Sequence, residues 1–305
     1  MNARTATIIP LLFASMLTCE AQLRITKVEK LPLSTSQEWA HPRFSPDGKR
    51  IYFTTVQGNG IWMYSLQSRA TQQITSDAKS GGAFNISPDG TQIVYRRSLW
   101  DGKTKARRQD IVLKNFSTNT STILASGSDV SVPAFSQDVV LYSIKGETKN
   151  IASIKKPDEV TILGIEDTKI ALIRKGEKVL LDPLGKGSYI WPSLSPDKKL
   201  IVAYDMDQGS FVCDLDGKIM NKLGRRDAPA WTRSGKWIVY MGDKDDGHQI
   251  LSSDLYAISP DGMTITQLTS TEEIIEMYPQ CSPRENKIVY ATLGGEIFLL
   301  HYDER

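Results

Sequence analysis

From Pro42 onwards, short runs of β-branched and aromatic residues alternate with clusters of Pro, Asp, Gly and Ser, a pattern that predicts strands and tight turns and leaves no room for long helices. Pro42-Arg-Phe-Ser-Pro-Asp-Gly-Lys-Arg-Ile-Tyr-Phe recurs as Phe84-Asn-Ile-Ser-Pro-Asp-Gly-Thr-Gln-Ile-Val-Tyr, and again from Pro192, Pro229 and Pro279. Weaker copies start at Pro133 and Leu163. Anchored on Ser45, Ser87, Ser136, Glu166, Ser195, Thr232 and Ser282, the copies stand 29 to 50 residues apart, about 40 on average.

Each copy reads as a hairpin. Pro presets φ, Asp bonds to the backbone ahead of it, and Gly takes the left-handed conformation that closes the turn. A second hairpin follows in most copies, for example Asp254-Leu-Tyr-Ala-Ile-Ser, a Pro260-Asp-Gly turn, then Thr264-Ile-Thr-Gln-Leu-Thr. Four strands at this period predict a blade, and seven copies predict an all-β, seven-bladed β-propeller of four-stranded antiparallel blades, with six blades as the alternative. The third and fourth copies are compressed and have the least room for outer strands. The last copy has room for three strands only, whereas Leu23-Arg-Ile-Thr-Lys-Val-Glu-Lys-Leu has strand character and no blade of its own. Pairing this segment with the last copy would close the ring and cover a sheet edge.

Composition narrows the classes. With 40% hydrophobic residues the 305-residue chain can bury a sizeable core, which excludes disorder. Lys and Arg total 37 against 35 Asp and Glu, so a net charge of +2 gives no electrostatic basis for nucleic-acid binding. Residues 1–21 have the anatomy of an export signal, with Arg4 before an apolar run from Ala6 to Leu17, too short to span a bilayer. Cleavage after Ala21 is the first expectation, leaving 22–305 as a single propeller domain. Lipidation of Cys19 is the alternative, with Thr18 departing from the usual small residue before a lipidated cysteine. Both readings put the protein in the periplasm or at the cell surface, without a transmembrane segment and as a monomer. Cys213 and Cys281 fall in different repeats and are expected to be unpaired.

The copies at Phe44 to Gly48, Ile86 to Gly90 and Leu194 to Asp197, together with the hairpin from Asp254 to Thr269, resemble the Tol-type β-propeller repeat of TolB, also found in tricorn-like and dipeptidyl-peptidase-like propellers. The resemblance covers essentially the whole chain after residue 21. It implies a propeller, but TolB itself has an added amino-terminal α/β domain and six blades, so the likeness is to the repeat and not to TolB. A propeller hosts many activities, and the function has to be read from the site.

No Gly-x-Ser-x-Gly elbow, His-Glu-x-x-His pair or Walker loop occurs, and the only histidines are His41, His248 and His301, too scattered for the histidine-rich metal centre of propeller lyases. No cofactor is expected. Alternating acids before glycine at Asp243 and Asp245, with Asp254 at the twelfth position, would suit calcium, although Asp-Gly is also the common hairpin turn and that reading is preferred. The basic segment Lys103, Lys105, Arg107 and Arg108 reads as a solvated hairpin tip.

Propellers bind ligands at the channel mouth, where the segments before each repeat's Pro converge. Those positions hold Trp39, His41 and Arg43, then Tyr189 and Trp191, then Arg226 and Asp227, then Glu276 and Tyr278. Aromatic anchors mixed with charged groups predict a recognition surface for a protein or peptide partner. Packing between blades is the competing role for any one aromatic among them. The rival class is an enzyme, a lyase or hydrolase acting on a glycan or small molecule, with His41, Asp227 and Glu276 as acid-base groups. Convergence of those three on one pocket would favour it.

Overall fold

A computed structural model describes residues 22–102, 105–144, 147–151 and 159–304. The expected leader at 1–21, with Cys19, and Lys103 at the basic tip lie outside the described residues. Strand β1 (Leu23–Lys30) precedes a sheet of β2 (Trp39–Phe44), β3 (Arg50–Thr55), β4 (Ile61–Ser65) and β5 (Thr71–Thr75). A short 3-10 turn at Ser80–Gly82 leads into β6 (Phe84–Ile86), β7 (Gln92–Asp101), β8 (Ala106–Asn115) and β9 (Thr120–Gly127). Two smaller sheets follow, β10 (Ala134–Ser136), β11 (Val139–Ile144) and β12 (Glu147–Ile151), then β13 (Thr161–Glu166), β14 (Lys169–Arg174) and β15 (Glu177–Leu181). Next come β16 (Tyr189–Leu194), β17 (Leu200–Asp205), β18 (Gly209–Asp214) and β19 (Ile219–Gly224), and β20 (Asp227–Trp231), β21 (Ile238–Asp245), β22 (Ile250–Ile258) and β23 (Ile265–Gln267). The last are β24 (Glu276–Cys281), β25 (Lys287–Thr292) and β26 (Ile297–Glu304).

Every sheet is antiparallel, and in all but the last the strand order follows the chain outward from the innermost strand. The innermost strands touch in succession, β6 with β10, β10 with β13, β13 with β16, β16 with β20, β20 with β24, and β24 with β2. Arg43 of β2 bonds to the Phe84 carbonyl of β6 and completes the circuit. This is an all-β propeller with four-stranded antiparallel blades. The two compressed copies, over 134–151 and 161–181, each have three described strands. In the second of these, only seven residues separate Leu181 from Tyr189, too few for another strand and its turn.

Second strands read as near-continuous apolar runs because each sheet is packed on both faces by its neighbours. Ile51 and Phe53, Ile201 to Ala203, Ile238 and Val239, and Ile288 and Val289 are fully buried in this way. The turns are built around a buried hydroxyl. Ser45 Oγ donates to Asp47 Oδ1 at 2.5 Å and accepts from Arg50 N at 3.0 Å, while Gly48, at φ 71°, donates its N–H to the Ser45 carbonyl. Ser87 and Asp89 repeat the arrangement. So do Ser195 and Asp197, with Lys198 at φ 60° in place of glycine.

The segment at 23–30 joins the last sheet as its outermost strand, in the order β1-β26-β25-β24. Leu23 pairs with Glu304 and Lys30 with Phe298, antiparallel, and the Leu23 side chain is buried beside Tyr302 and Trp237. Cys213 and Cys281 are both free thiols.

Candidate functional site

Four innermost strands share one local device. In β2, β16, β20 and β24 the pairing with the next strand slips just where a residue precedes proline, at His41-Pro42, Trp191-Pro192, Ala228-Pro229 and Tyr278-Pro279. All four residues before proline have left-handed backbones, with φ of 50°, 52°, 48° and 54°. Proline lacks the N–H that a ladder needs and disfavours a right-handed residue before it, so the chain bulges here. A positive φ outside glycine costs of order 1 kcal/mol per residue, and such strain clusters where a side chain must be aimed.

What is aimed is a ring of side chains around a cavity of about 600 Å³, walled by strands of the first, fifth, sixth and seventh sheets. His41 and Tyr278 rings lie 4.9 Å apart, and Tyr278 meets Trp191 edge to face at 6.2 Å. Trp191 also packs edge to face on Tyr204 at 5.6 Å. Arg43, Ser193, Gln280 and Cys281 complete the polar part of the wall. Partial desolvation lowers the basicity of His41, and the nearby Arg43 charge lowers it further. Burial likewise pushes the Cys281 thiol up.

Of the nine positions the sequence singles out, His41, Arg43, Trp191 and Tyr278 line this cavity. Trp39 and Tyr189 do not. Both lie three residues before a proline, where the side chain wedges between sheets. Trp39 packs edge to face on Phe53 and Trp62 and donates its indole N–H to the Ser34 carbonyl at 2.9 Å. Tyr189 donates to Asp182 Oδ1 at 2.8 Å and accepts from Leu184 N. Arg226 stacks 5.0 Å over the Tyr240 ring and donates to the Arg225 carbonyl.

Two carboxyl pairs flank the cavity. Asp227, 9% exposed, is pushed up to about 7, first by burial and then by its hydrogen bond and charge contact with Asp243; Tyr204 also bonds to it and pulls the other way. Arg225 holds Asp243 at 3.6 Å and also binds Asp245. Glu276, fully buried, is pushed up to about 7 by burial, with the Asp254 charge adding to it, while Thr271 donates to its Oε1 at 3.1 Å. One oxygen of each, Asp227 Oδ1 and Glu276 Oε2, has no partner. The three acid-base candidates differ in their polar partners, Arg43 for His41, Asp243 and Tyr204 for Asp227, Asp254 and Thr271 for Glu276, while Tyr278, packed on the His41 ring, also feels the Asp227 and Asp243 charges.

The acidic turn considered for calcium is divided in the same way. Asp245 caps Gly247 N at 2.9 Å, and Asp254 accepts from Thr271 N at 3.0 Å. Among the described residues no group of three or more His, Cys, Asp or Glu could hold a metal ion. At the basic tip, Arg108 is paired with Asp110 at 3.0 Å, while Lys105 and Arg107 are exposed. Tyr204 and Asp243 were not recognisable as members of the site from their own surroundings. Both sit near the ends of second strands, Tyr204 opposite Ile190 and Asp243 two residues beyond the partner of Asp227, so only the register reveals them.

No family model matches the chain. Among solved structures it is similar to TolB from Acinetobacter baumannii, with 20% identity and a TM-score of 0.53, over 78% of this chain and 56% of that one. This chain thus spans little more than half of that TolB. It is also similar to the Cps50 (Swd1) β-propeller domain of Myceliophteria thermophila, with 9% identity and a TM-score of 0.60 over 92% of this chain and 99% of that one. A third likeness is to oligogalacturonate lyase from Vibrio parahaemolyticus, with 12% identity and a TM-score of 0.50 over 85% and 76% of the two chains. These likenesses establish a TolB-like propeller fold, which is shared by binding proteins and enzymes.

Proposed function

We propose that this protein is a non-catalytic binding propeller of the bacterial cell envelope, a ring of seven blades that recognises a protein or peptide partner at its channel mouth. The observation that carries the reading is the convergence of His41, Tyr278 and Trp191 on one cavity, each held by a left-handed backbone before a proline, which presets the surface. Rigid aromatic rings supply contact area at low entropic cost, which suits partner capture. Export rests on the pattern of residues 1–21, with lipidation at Cys19 as the variant that would tether the protein.

The enzyme reading draws support from the two carboxyls raised to about 7, an acidity suited to proton transfer near neutral pH. Binding is preferred because those carboxyls and His41 have different hydrogen-bonding and charge partners and none of the carboxyls lines the cavity. The test is affinity capture from envelope extract using the chain from residue 22, compared with a His41→Ala/Trp191→Ala/Tyr278→Ala variant of unchanged thermal stability. Loss of the captured partner is expected, and retention would end the proposal.

A further inference from the structure

Among the described residues, Arg43 has no carboxylate paired with it. Its guanidinium lies 4.3 Å over the Phe84 ring, and its Nη1 donates to the Phe84 carbonyl at 2.9 Å. That is its one hydrogen bond among the described residues, and none of their carboxylates comes within ion-pairing distance of it. Arg97 and Arg174, by contrast, are neutralised. Arg97 is paired with Asp77 at 3.2 Å and Asp110 at 3.1 Å, and Arg174 with Asp216 at 2.6 Å. Charged side chains are rarely withdrawn from water unless paired, because the lost hydration is not returned. Burial accordingly lowers the basicity of Arg43, with no acid to offset it.

The surroundings of Arg43 match this imbalance. The cavity wall contains Arg43, His41, Ser193, Gln280 and Cys281 beside the aromatic rings, and no Asp or Glu. Stacking on Phe84 fixes the plane of the guanidinium and one of its donors, leaving Nε and Nη2 as a preset fork, the geometry that binds a carboxylate through two parallel bonds. Trp191 and Tyr278 are on the same wall system, ready for a flat apolar group. About 600 Å³ accommodates one bulky residue and its neighbour, or a small organic acid.

We propose that the channel cavity takes a carboxylate carried beside an aromatic or apolar group, with Arg43 binding the anion and the Trp191–Tyr278 pair holding the ring. This deepens the channel-mouth reading and rests on it. Two sources have this chemistry, the C-terminal residue of a peptide and a free aromatic acid.

The test is isothermal titration of the chain from residue 22 with N-acetyl-phenylalanine, acetyl-Gly-Gly-Gly-Phe, and the C-terminal amide of each. The acids are expected to bind at least about 10-fold more tightly than the amides, as charge-assisted bonds imply. Arg43→Met should remove that ratio, and Arg43→Lys, which keeps the charge without the fork, should retain part of it. Preference for the peptide acid assigns the site to a C-terminus; preference for the small acid assigns it to a free ligand. Equal binding of acid and amide, an unchanged ratio in Arg43→Met, or no binding of any probe would overturn the proposal. Envelope capture that survives Arg43→Met but fails in the aromatic variant would leave the partner-binding reading standing without it.

Discussion

Trp191 and Tyr278 touch edge to face at 6.2 Å although the whole sheet of β20 to β23 lies between their own, because the equivalent residue of that sheet is Ala228. A methyl group there leaves the span open, so rings from the fifth and seventh sheets close over the sixth. The pair is thus a product of three repeats, two contributing a large residue and one a small one.

Ala228 also carries the strain of its φ of 48°. Ala228→Gly removes the Cβ conflict at some entropic cost in the unfolded chain, and stability is expected to stay level or rise by up to about 1 kcal/mol. Ala228→Val places a β-branched residue in the same conformation and should cost about 2 kcal/mol or more, several degrees in Tm. Thermal unfolding of the two variants checks this, and a tolerated valine would contradict it.

Asp227 couples stability to pH. Its folded-state carboxyl titrates near 7 and an unfolded one near 4, so the folded chain keeps a proton that the unfolded chain has released. The contribution is complete below about pH 4 and is lost as pH rises through 7. Asp227→Asn should therefore flatten the decline in Tm between pH 5 and 8, with the variant more stable than the parent at pH 8. Glu276, also near 7, should leave a residual slope that Glu276→Gln removes. A Tm profile unchanged by both substitutions would refute the assignment.

Leu23 tests the seam of the ring. Its side chain is 2% exposed and packs with Tyr302 and Trp237. Leu23→Ala is expected to cost about 2–4 kcal/mol by leaving a cavity. Removing residues 22–32 should cost more and promote self-association, since β26 would then present an unpaired edge. Light scattering and thermal melts of both variants read the outcome.

Ser45 tests the repeated turn. Its hydroxyl is buried and bonds both Asp47 and the Arg50 amide. Ser45→Ala strands that amide and should cost about 1–3 kcal/mol, while Ser45→Thr should recover most of it, as Thr232 at the equivalent position bonds the Trp237 amide at 3.3 Å. Chemical denaturation of the three proteins decides.

The propeller was legible in the chain because its signal is local: Ser-Pro-Asp-Gly specifies its turn from within five residues. The small sheets were harder, since neither Gln137-Asp138 nor Asp167-Thr168 contains the Pro and Gly of the motif. Of the residues expected at the channel mouth, those next to the proline, His41, Trp191 and Tyr278, do line the cavity. Trp39 and Tyr189 lie away from it because the face a strand residue occupies depends on register, and the left-handed residue before proline resets that register within two positions. Asp243 and Tyr204 join the site through cross-strand pairing, for which the chain has no short-range signature.

Because the outermost strand of the final sheet comes from residues 23–30, the circle cannot be finished until residues 297–304 have been synthesised. Every shorter nascent chain has a gap in its circumference, and the channel cavity, half of whose wall comes from the two sheets meeting at that gap, is braced on that side only by the final clasp between the two ends of the chain.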